Sequence, residues 1–212
     1  RLEIEGKNIP ADILLTVDAA RLVRAKEKDL FQEVISDALN KVIPNYFRDI
    51  DNHWFGLSLR SRVIIFSPDK VNKRELIDYL DLANSKWRGR ICVRSSSNIY
   101  NQSLVASMIA RHGINKIEIW ASRLVENFAR SPKGGDRDQI KAVAIGVCDI
   151  ALVNNYYLAG MLESNQEYEM NAAKKVKLFW PDQNGHGAHV NISGAGVTKY
   201  AKNKEEAIQL LE

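Results

Sequence analysis

Cysteine, long apolar runs and clustered charge are all scarce in this sequence of 212 residues. No apolar run approaches the roughly 18 residues of a membrane-spanning helix, and the longest, such as residues 63–66, have the length of a strand. No block of five or six like charges occurs, so the net charge of +4 supports nucleic-acid binding only weakly and fits anionic ligands better. Residues 1–5 contain acids and no apolar segment, so no signal peptide is visible.

The two cysteines, Cys92 and Cys148, are too few for a disulfide scaffold and too far apart for a CxxC metal site. Each opens an apolar run, so we interpret them as two buried thiols, with a single bridge between neighbouring strands as the alternative. No GxGxxG, Walker A, GxSxG or HExxH motif is present, so no enzyme class is indicated by motif.

Short apolar runs alternate with helical patterns, which is typical of an α/β fold. The third and fourth predicted strands, with the helices between them, form a crossover unit, so these strands are expected to be parallel. The predicted strands are 11–17, 55–66, 90–94, 148–153, 176–180 and 189–197. The predicted helices are 19–28, 73–82, 99–111, 117 to about 128, 136–145, one that starts near 156 and one that runs to 211. Asp136 is expected to cap the fifth of these helices, and Asn203 the last.

Tyrosines follow both strands of this crossover unit. Ligands of open α/β sheets bind beyond the carboxyl ends of parallel strands, so Tyr100, Tyr156 and Tyr157 converge if the two strands are neighbours. Three phenolates are hard anionic oxygens suited to a hard trivalent cation such as Fe(III). The alternative is that the tyrosines are half-buried packing residues with solvated hydroxyls, and spacing alone favours it. The candidates for stabilising the phenolate form are Arg60, Arg62 and Arg94.

Weaker candidates lie elsewhere in the sequence. His186 and His189 have the spacing to bind a divalent metal, but a solvated glycine-rich turn explains them better. The 134–137 segment at a helix start suits a small anion, and a capped helix entrance explains it equally well. The serines at 95–97 have no adjacent base, which argues against nucleophilic catalysis.

Longer segments of the sequence carry a family resemblance. They are 54–58 (WFGLS), 60–64 (RSRVI), 87–98 (WRGRICVRSSSN), 100–103 (YNQS), 134–143 (GGDRDQIKAV), 153–157 (VNNYY) and 189–197 (HVNISGAGV). Together they resemble the periplasmic iron-binding proteins, the solute-binding subunits of bacterial ferric ABC transporters, and are most similar to the cyanobacterial type.

The resemblance implies a two-lobed periplasmic binding protein fold of type II that closes on Fe(III). Tyr100, Tyr156 and Tyr157 match the metal-binding tyrosines of the family, and Arg60 matches an arginine beside the metal. One lobe is expected at 1–57 plus 194–212 and the other at 58–193, with strands crossing between them. A further ligand near the mature N-terminus has no match here; Tyr46 is read as a turn residue. The sequence is expected to lack both the start and the end of the fold.

The function implied is that of a monomeric periplasmic receptor, not an enzyme, that binds Fe(III) in an interlobe cleft and delivers it to an ABC permease in the inner membrane. One alternative is an anion receptor of the same fold that uses Arg60, Arg94 and the N-terminus of a helix capped by Ser95. A second is the effector domain of a transcription regulator, for which the sequence contains no helix-turn-helix segment. An enzyme on this fold is a third alternative that no residue set supports.

Overall fold

The computed structural model describes residues 2–212 and places them in two compact units. One unit contains the residues up to Leu59 together with Asn191–Glu212, and the other is Arg60–Val190. Arg1, which the sequence-based division assigned to the first lobe, lies outside the described residues. Equating the two units with the lobes of a binding protein stays a prediction.

Helices and strands follow one another along the chain as in an α/β fold, with α-helices at Asp37–Val42 and Glu167–Lys174 that the sequence pattern did not predict. Within residues 2–212, no helix combines the length and apolar character needed to cross a bilayer. The helices are α1 (Leu2–Glu5), α2 (Ala19–Glu27), α3 (Asp37–Val42), α4 (Ile99–His112), α5 (Ile114–Glu126), α6 (Asp136–Ala144), α7 (Asn155–Leu162), α8 (Glu167–Lys174) and α9 (Lys204–Leu211). The strands are β1 (Ile13–Val17), β2 (Phe55–Phe66), β3 (Ile91–Cys92), β4 (Ile150–Asn154), β5 (Lys177–Phe179) and β6 (Val190–Val197).

The first unit is built on the strand order β1-β6-β2. β1 and β6 are antiparallel, with Ile13 opposite Val197. Gly194 in β6 lies so close to β2 that an added Cβ would come within 2.4 Å of the Phe55 carbonyl oxygen, so this position requires glycine. The apolar side chains that pack on this sheet include Leu22, Phe31, Val34, Leu39, Trp54, Phe55, Ile192, Val197 and Leu211.

The second unit has β4 at the centre of its sheet. β4 pairs antiparallel with β2, with Arg62 opposite Asn154, and parallel with β3, with Cys92 opposite Ala151. All five residues of β4 are buried, because apolar clusters cover both faces of the sheet. The predicted parallel pairing of the third and fourth strands is therefore confirmed.

The predicted helix at 73–82 is wrong, because only two short 3-10 turns form there, Lys73–Glu75 and Leu80–Ala83. The Asn72 side chain accepts a hydrogen bond from the backbone N–H of Arg74, and the Glu75 carboxylate accepts one from the N–H of Asn72. These side-chain contacts close a single turn, after which the backbone is extended at Leu76. Local side-chain to backbone bonds of this kind compete with helix propagation.

The interpretation of Cys92 and Cys148 as two buried thiols is also wrong, because the two form a disulfide. Cys92 ends β3, and Cys148 lies just before β4, the parallel neighbour of β3. The pairing of these strands brings the two Cα atoms to 5.8 Å, within the range that a disulfide requires. The bridge therefore joins the two strands that lead to Tyr100 and to Tyr156.

Reduction of this disulfide is expected to destabilise the second unit by about 4 kcal/mol, from the chain entropy released by opening a loop of this size. The loop is long, since the two cysteines are 56 positions apart. The measurement is denaturant unfolding of the oxidised and reduced protein, with free thiols counted in both samples. Equal unfolding midpoints, with the bridge shown to be open in one sample, would contradict the expectation. A Cys92→Ala/Cys148→Ala variant controls for effects of the reductant.

Candidate metal centre

The three tyrosines lie at the same edge of the sheet in the second unit. Tyr100 is in the first turn of α4, which follows β3, and Tyr156 and Tyr157 are in the first turn of α7, which follows β4. Because β3 and β4 are parallel, both helices begin at their carboxyl ends. Asn98 caps α4, with its side-chain oxygen 3.0 Å from the backbone nitrogen of Tyr100.

The structure brings the hydroxyls of Tyr156 and Tyr100 to 3.5 Å from each other. The Tyr157 ring packs beside the Tyr156 ring, with centroids 4.4 Å apart. Tyr156 is 42% exposed, and the other two tyrosines are half-buried. The three side chains are thus neighbours at the surface of this unit, while their identity as metal ligands stays a prediction.

Two guanidinium groups face the ring of Tyr100. The Arg60 guanidinium carbon lies 5.0 Å from the ring centroid, and that of Arg94 lies 5.5 Å from it. Such contacts are cation–π attractions, and they place two positive charges beside this ring. Arg60 is buried, so its charge is screened less by solvent than an exposed charge.

The Tyr156 phenol is strongly held in its protonated form. Burial raises the pKa of Tyr156 far above its usual value, hydrogen bonding with Tyr100 and Tyr157 raises it further, and a hydrogen bond with Asn154 opposes the shift. A phenolate at this position therefore requires a cation that replaces the proton.

Arg62, expected beside the tyrosines, instead pairs with Asp136 inside the core. The Arg62 Nη1 atom lies 2.8 Å from Asp136 Oδ2, and the exposed fractions of the two side chains are 1% and 0%. Asp136 was expected to cap α6, but its carboxylate turns inward and also accepts a hydrogen bond from the backbone N–H of Asn154. Asp138 replaces it as the capping residue, by accepting a hydrogen bond from the N–H of Gly135.

Sequence reasoning missed Asn101, Asp136 and Asn154 as parts of the centre. Asn101 follows Tyr100 directly, and Asn154 lies two residues before Tyr156. Asn154 is buried and Asn101 is half-buried, and amide groups at such positions can hold the backbone that carries the tyrosines. The closeness of Asn101 and Asn154 to the tyrosines in sequence could have indicated this role. Their partners Arg62 and Asp136 could not be identified in the same way, because they lie far away along the chain.

The histidine candidates do not form a metal site. His186 and His189 line a cavity of about 60 Å³, and the His186 ring lies 6.4 Å from the ring of His112. Among residues 2–212, the acid, cysteine and histidine side chains that bring three ligand atoms within 4.8 Å of one another are those of Asp49, Asp51 and His53.

That acidic group lies in the first unit and already has a cation. The Lys26 ammonium nitrogen lies 2.9 Å from the Asp49 carboxylate and 2.6 Å from that of Asp51. The single Lys26 ammonium group already lies between the two carboxylates, so we assign no metal there.

Comparison with known proteins is consistent with this geometry. Residues 8–212 match the family model described as bacterial extracellular solute-binding protein. The chain is 48% identical over its whole length to iron uptake protein A1 of Synechocystis and 47% identical to iron uptake protein A2 of the same organism. It covers 59% and 62% of those proteins, so it spans about three fifths of the length of the curated relatives it matches.

Among solved structures, the chain is likewise similar to iron-binding proteins. The whole chain superposes, with a TM-score of 0.95, on 67% of the Trichodesmium protein FutA (IdiA) in complex with iron and citrate, at 53% identity. It also superposes, with a TM-score of 0.95, on 67% of the ferric binding protein from Campylobacter jejuni, at 36% identity.

Proposed function

The chain belongs to the bacterial extracellular solute-binding proteins, within the cyanobacterial type of ferric iron-binding proteins, and on this premise we propose that it binds Fe(III) through the phenolates of Tyr100, Tyr156 and Tyr157 for iron uptake. The observation that supports the proposal most directly is the approach of the Tyr156 and Tyr100 hydroxyls to 3.5 Å, at the ends of neighbouring strands. Two hydroxyls at this separation are close enough to bind one ion. The family consists of solute-binding transport proteins, and we propose no catalytic step.

The chemistry of the site follows from charge. Fe(III) is a hard trivalent cation, and three phenolates supply the three negative charges that neutralise it. Each phenol gives up its proton when the metal binds, and the guanidinium groups of Arg60 and Arg94 lie beside the Tyr100 ring, where their charge would offset that of the bound phenolate. Reduction to Fe(II) lowers the metal charge and softens it, so the phenolate bonds weaken and the iron is released.

The wider role is proposed from the family. The relatives are named as iron uptake and periplasmic ferric-binding proteins, and we propose that this chain likewise acts in the periplasm and delivers iron to an ABC permease of the inner membrane. That the protein is monomeric, and that the metal is held in a cleft between two lobes, stay predictions.

An anion receptor of the same fold is the weaker alternative. It would use the guanidinium groups of Arg60 and Arg94, but the ferric site uses the same two groups, so their charge does not favour either function. It also needs a Ser95 cap on the helix, whereas the cap of α4 is Asn98, and the Ser95 hydroxyl instead lies 2.8 Å from that of Ser97. We therefore favour the ferric site.

Titration of chelator-stripped protein with ferric citrate tests the proposal. We expect a visible absorption band from phenolate-to-Fe(III) charge transfer, which saturates with iron, survives desalting and disappears on reduction with dithionite. Protein that stays colourless and retains no iron after desalting would overturn the proposal. Protein that binds citrate equally well with and without iron would favour the anion receptor.

A further inference from the structure

A single buried carboxylate holds the start of the helix that carries Tyr156 and Tyr157. Asp136 Oδ2 lies 2.7 Å from the backbone nitrogen of Asn154, the residue that precedes α7. The same oxygen accepts a hydrogen bond from Arg62 Nη1 at 2.8 Å. Because the Asp136 side chain is fully buried, these bonds form away from water and fix the backbone strongly.

Arg62, the partner of Asp136, also contacts α4, the helix that carries Tyr100. Arg62 Nη2 lies 2.7 Å from the side-chain oxygen of Asn101, the residue after Tyr100 in α4. The Asn101 amide in turn donates to the carbonyl oxygens of Arg94 and Ser95, in the loop before that helix, at 2.9 and 3.2 Å. One guanidinium group therefore links the segment that carries Tyr100 to the segment that carries Tyr156.

The carboxylate also acts on the charge beside the tyrosines. Asp136 Oδ1 lies 3.2 Å from Arg94 Nη1, and the Arg94 guanidinium lies over the ring of Tyr100. Asp136 thus orients one of the two cations that face this phenol. Loss of the carboxylate would leave Arg94 free to adopt other rotamers.

A buried ion pair contributes little net stability, because desolvation of both charges offsets their attraction. Apolar residues of similar size would fill the same space at no greater cost, so stability alone does not account for Arg62 and Asp136. What charged, forked groups add is directional hydrogen bonding to several backbone segments at once.

We propose that Asp136 and Arg62 are positioning residues that set the separation of the Tyr100 and Tyr156 hydroxyls for Fe(III). This inference rests on the proposed ferric site and adds the residues that organise it. The pair is hydrogen-bonded to the start of both helices, so that the two phenols can bind the metal without rearrangement of the backbone.

The test compares Asp136→Asn with Asp138→Asn. Both substitutions remove one carboxylate charge from the first turn of α6, but Asp138 is exposed and caps only Gly135. We expect Asp136→Asn to lower Fe(III) affinity by about 10- to 100-fold, as outer partners of metal ligands do, and to shift the charge-transfer band. Asp138→Asn should keep the affinity and the band of the unaltered chain.

A second variant covers the case in which Asp136→Asn does not fold. Asn101→Ala cuts the link from Arg62 to α4 and leaves the buried ion pair in place, so we expect it to fold and to show the same loss of affinity and a similar band shift. Folding is checked by circular dichroism and thermal melting. If folded Asp136→Asn or Asn101→Ala binds iron with unaltered affinity and an unaltered band, the inference is wrong.

The geometry of the metal-free protein separates this inference from the proposed function. A crystal structure of each folded variant without metal gives the distance between the Tyr100 and Tyr156 hydroxyls, which is 3.5 Å in the unaltered chain. We expect Asp136→Asn to change this distance and Asp138→Asn to keep it. If the unaltered chain binds no iron, the proposed function fails, and this distance still decides whether Asp136 positions the phenols. An unchanged distance in that case overturns the inference.

Discussion

Substitution of both adjacent tyrosines, Tyr156→Phe with Tyr157→Phe, is expected to weaken the visible colour of the iron-loaded protein strongly, since only the Tyr100 phenolate remains, and to lower Fe(III) affinity on the order of a thousandfold or more. Each substitution removes one anionic ligand. If each lost contact with a charged group is worth about 2 kcal/mol, two amount to about 4 kcal/mol, which is close to three decades in the dissociation constant. Competition with a chelator of known ferric affinity measures the loss.

The fold is expected to survive this double substitution. Tyr156 is 42% exposed, and phenylalanine retains the ring that packs against its neighbour. Matched controls are Tyr168→Phe, at a 60% exposed site in α8, and Tyr46→Phe, at a 78% exposed site in a short turn. Both controls should keep the colour and the affinity. A double variant that is folded and keeps the full colour and the affinity of the unaltered chain would show that Tyr156 and Tyr157 are not ligands.

The position of the tyrosines is the part of this site that sequence reasoning predicts well. The sequence predicts strands at 90–94 and 148–153, and the crossover between them predicts parallel neighbours, so residues that follow the two strands must meet. The observed pairing of β3 with β4 gives this result. This prediction needs only the local pattern of apolar residues, which the sequence contains, and the general right-handedness of crossover connections.

The purpose of the tyrosines was not predictable from spacing. Spacing alone favours packing residues, whereas the structure leaves Tyr156 substantially exposed and turns its hydroxyl towards that of Tyr100. Resemblance to a known family was needed to favour metal binding, because exposure and hydroxyl direction depend on side-chain packing that has no periodic signature.

The contacts of Asp136 show what sequence reasoning could not reach. An acid at a helix start predicts a cap, and here the neighbouring Asp138 takes that role while Asp136 turns into the core. Its partner Arg62 is 74 positions away, so only the assembled sheet brings them together. The pairing of Cys92 with Cys148 has the same origin, since it depends on the register of β3 and β4.

Iron retention is expected to weaken steeply as the pH falls, since the pKa of Tyr156 is raised far above its usual value and the phenol is protonated throughout the neutral range. Each phenol that binds Fe(III) must lose its proton, so lowering the pH by one unit lowers the affinity about tenfold for every proton displaced. Three phenols give a fall of up to about a thousandfold per unit. An ordinary tyrosine, with a pKa of about 10, is already protonated in this range, so the dependence extends through the whole neutral range. The raised pKa of Tyr156 extends it further towards alkaline pH.

The slope is measured by competition with a chelator, corrected for the chelator's own protonation, between about pH 6 and pH 8, where unbound phenols stay protonated. Tyr156→Phe removes one titrating ligand, so the slope of its affinity against pH should be smaller by about one proton. Tyr168→Phe should leave the slope unchanged, because its hydroxyl lies on a separate, exposed helix. An affinity independent of pH would mean that no phenol is deprotonated on binding, and the ferric site would then have to be built from other ligands.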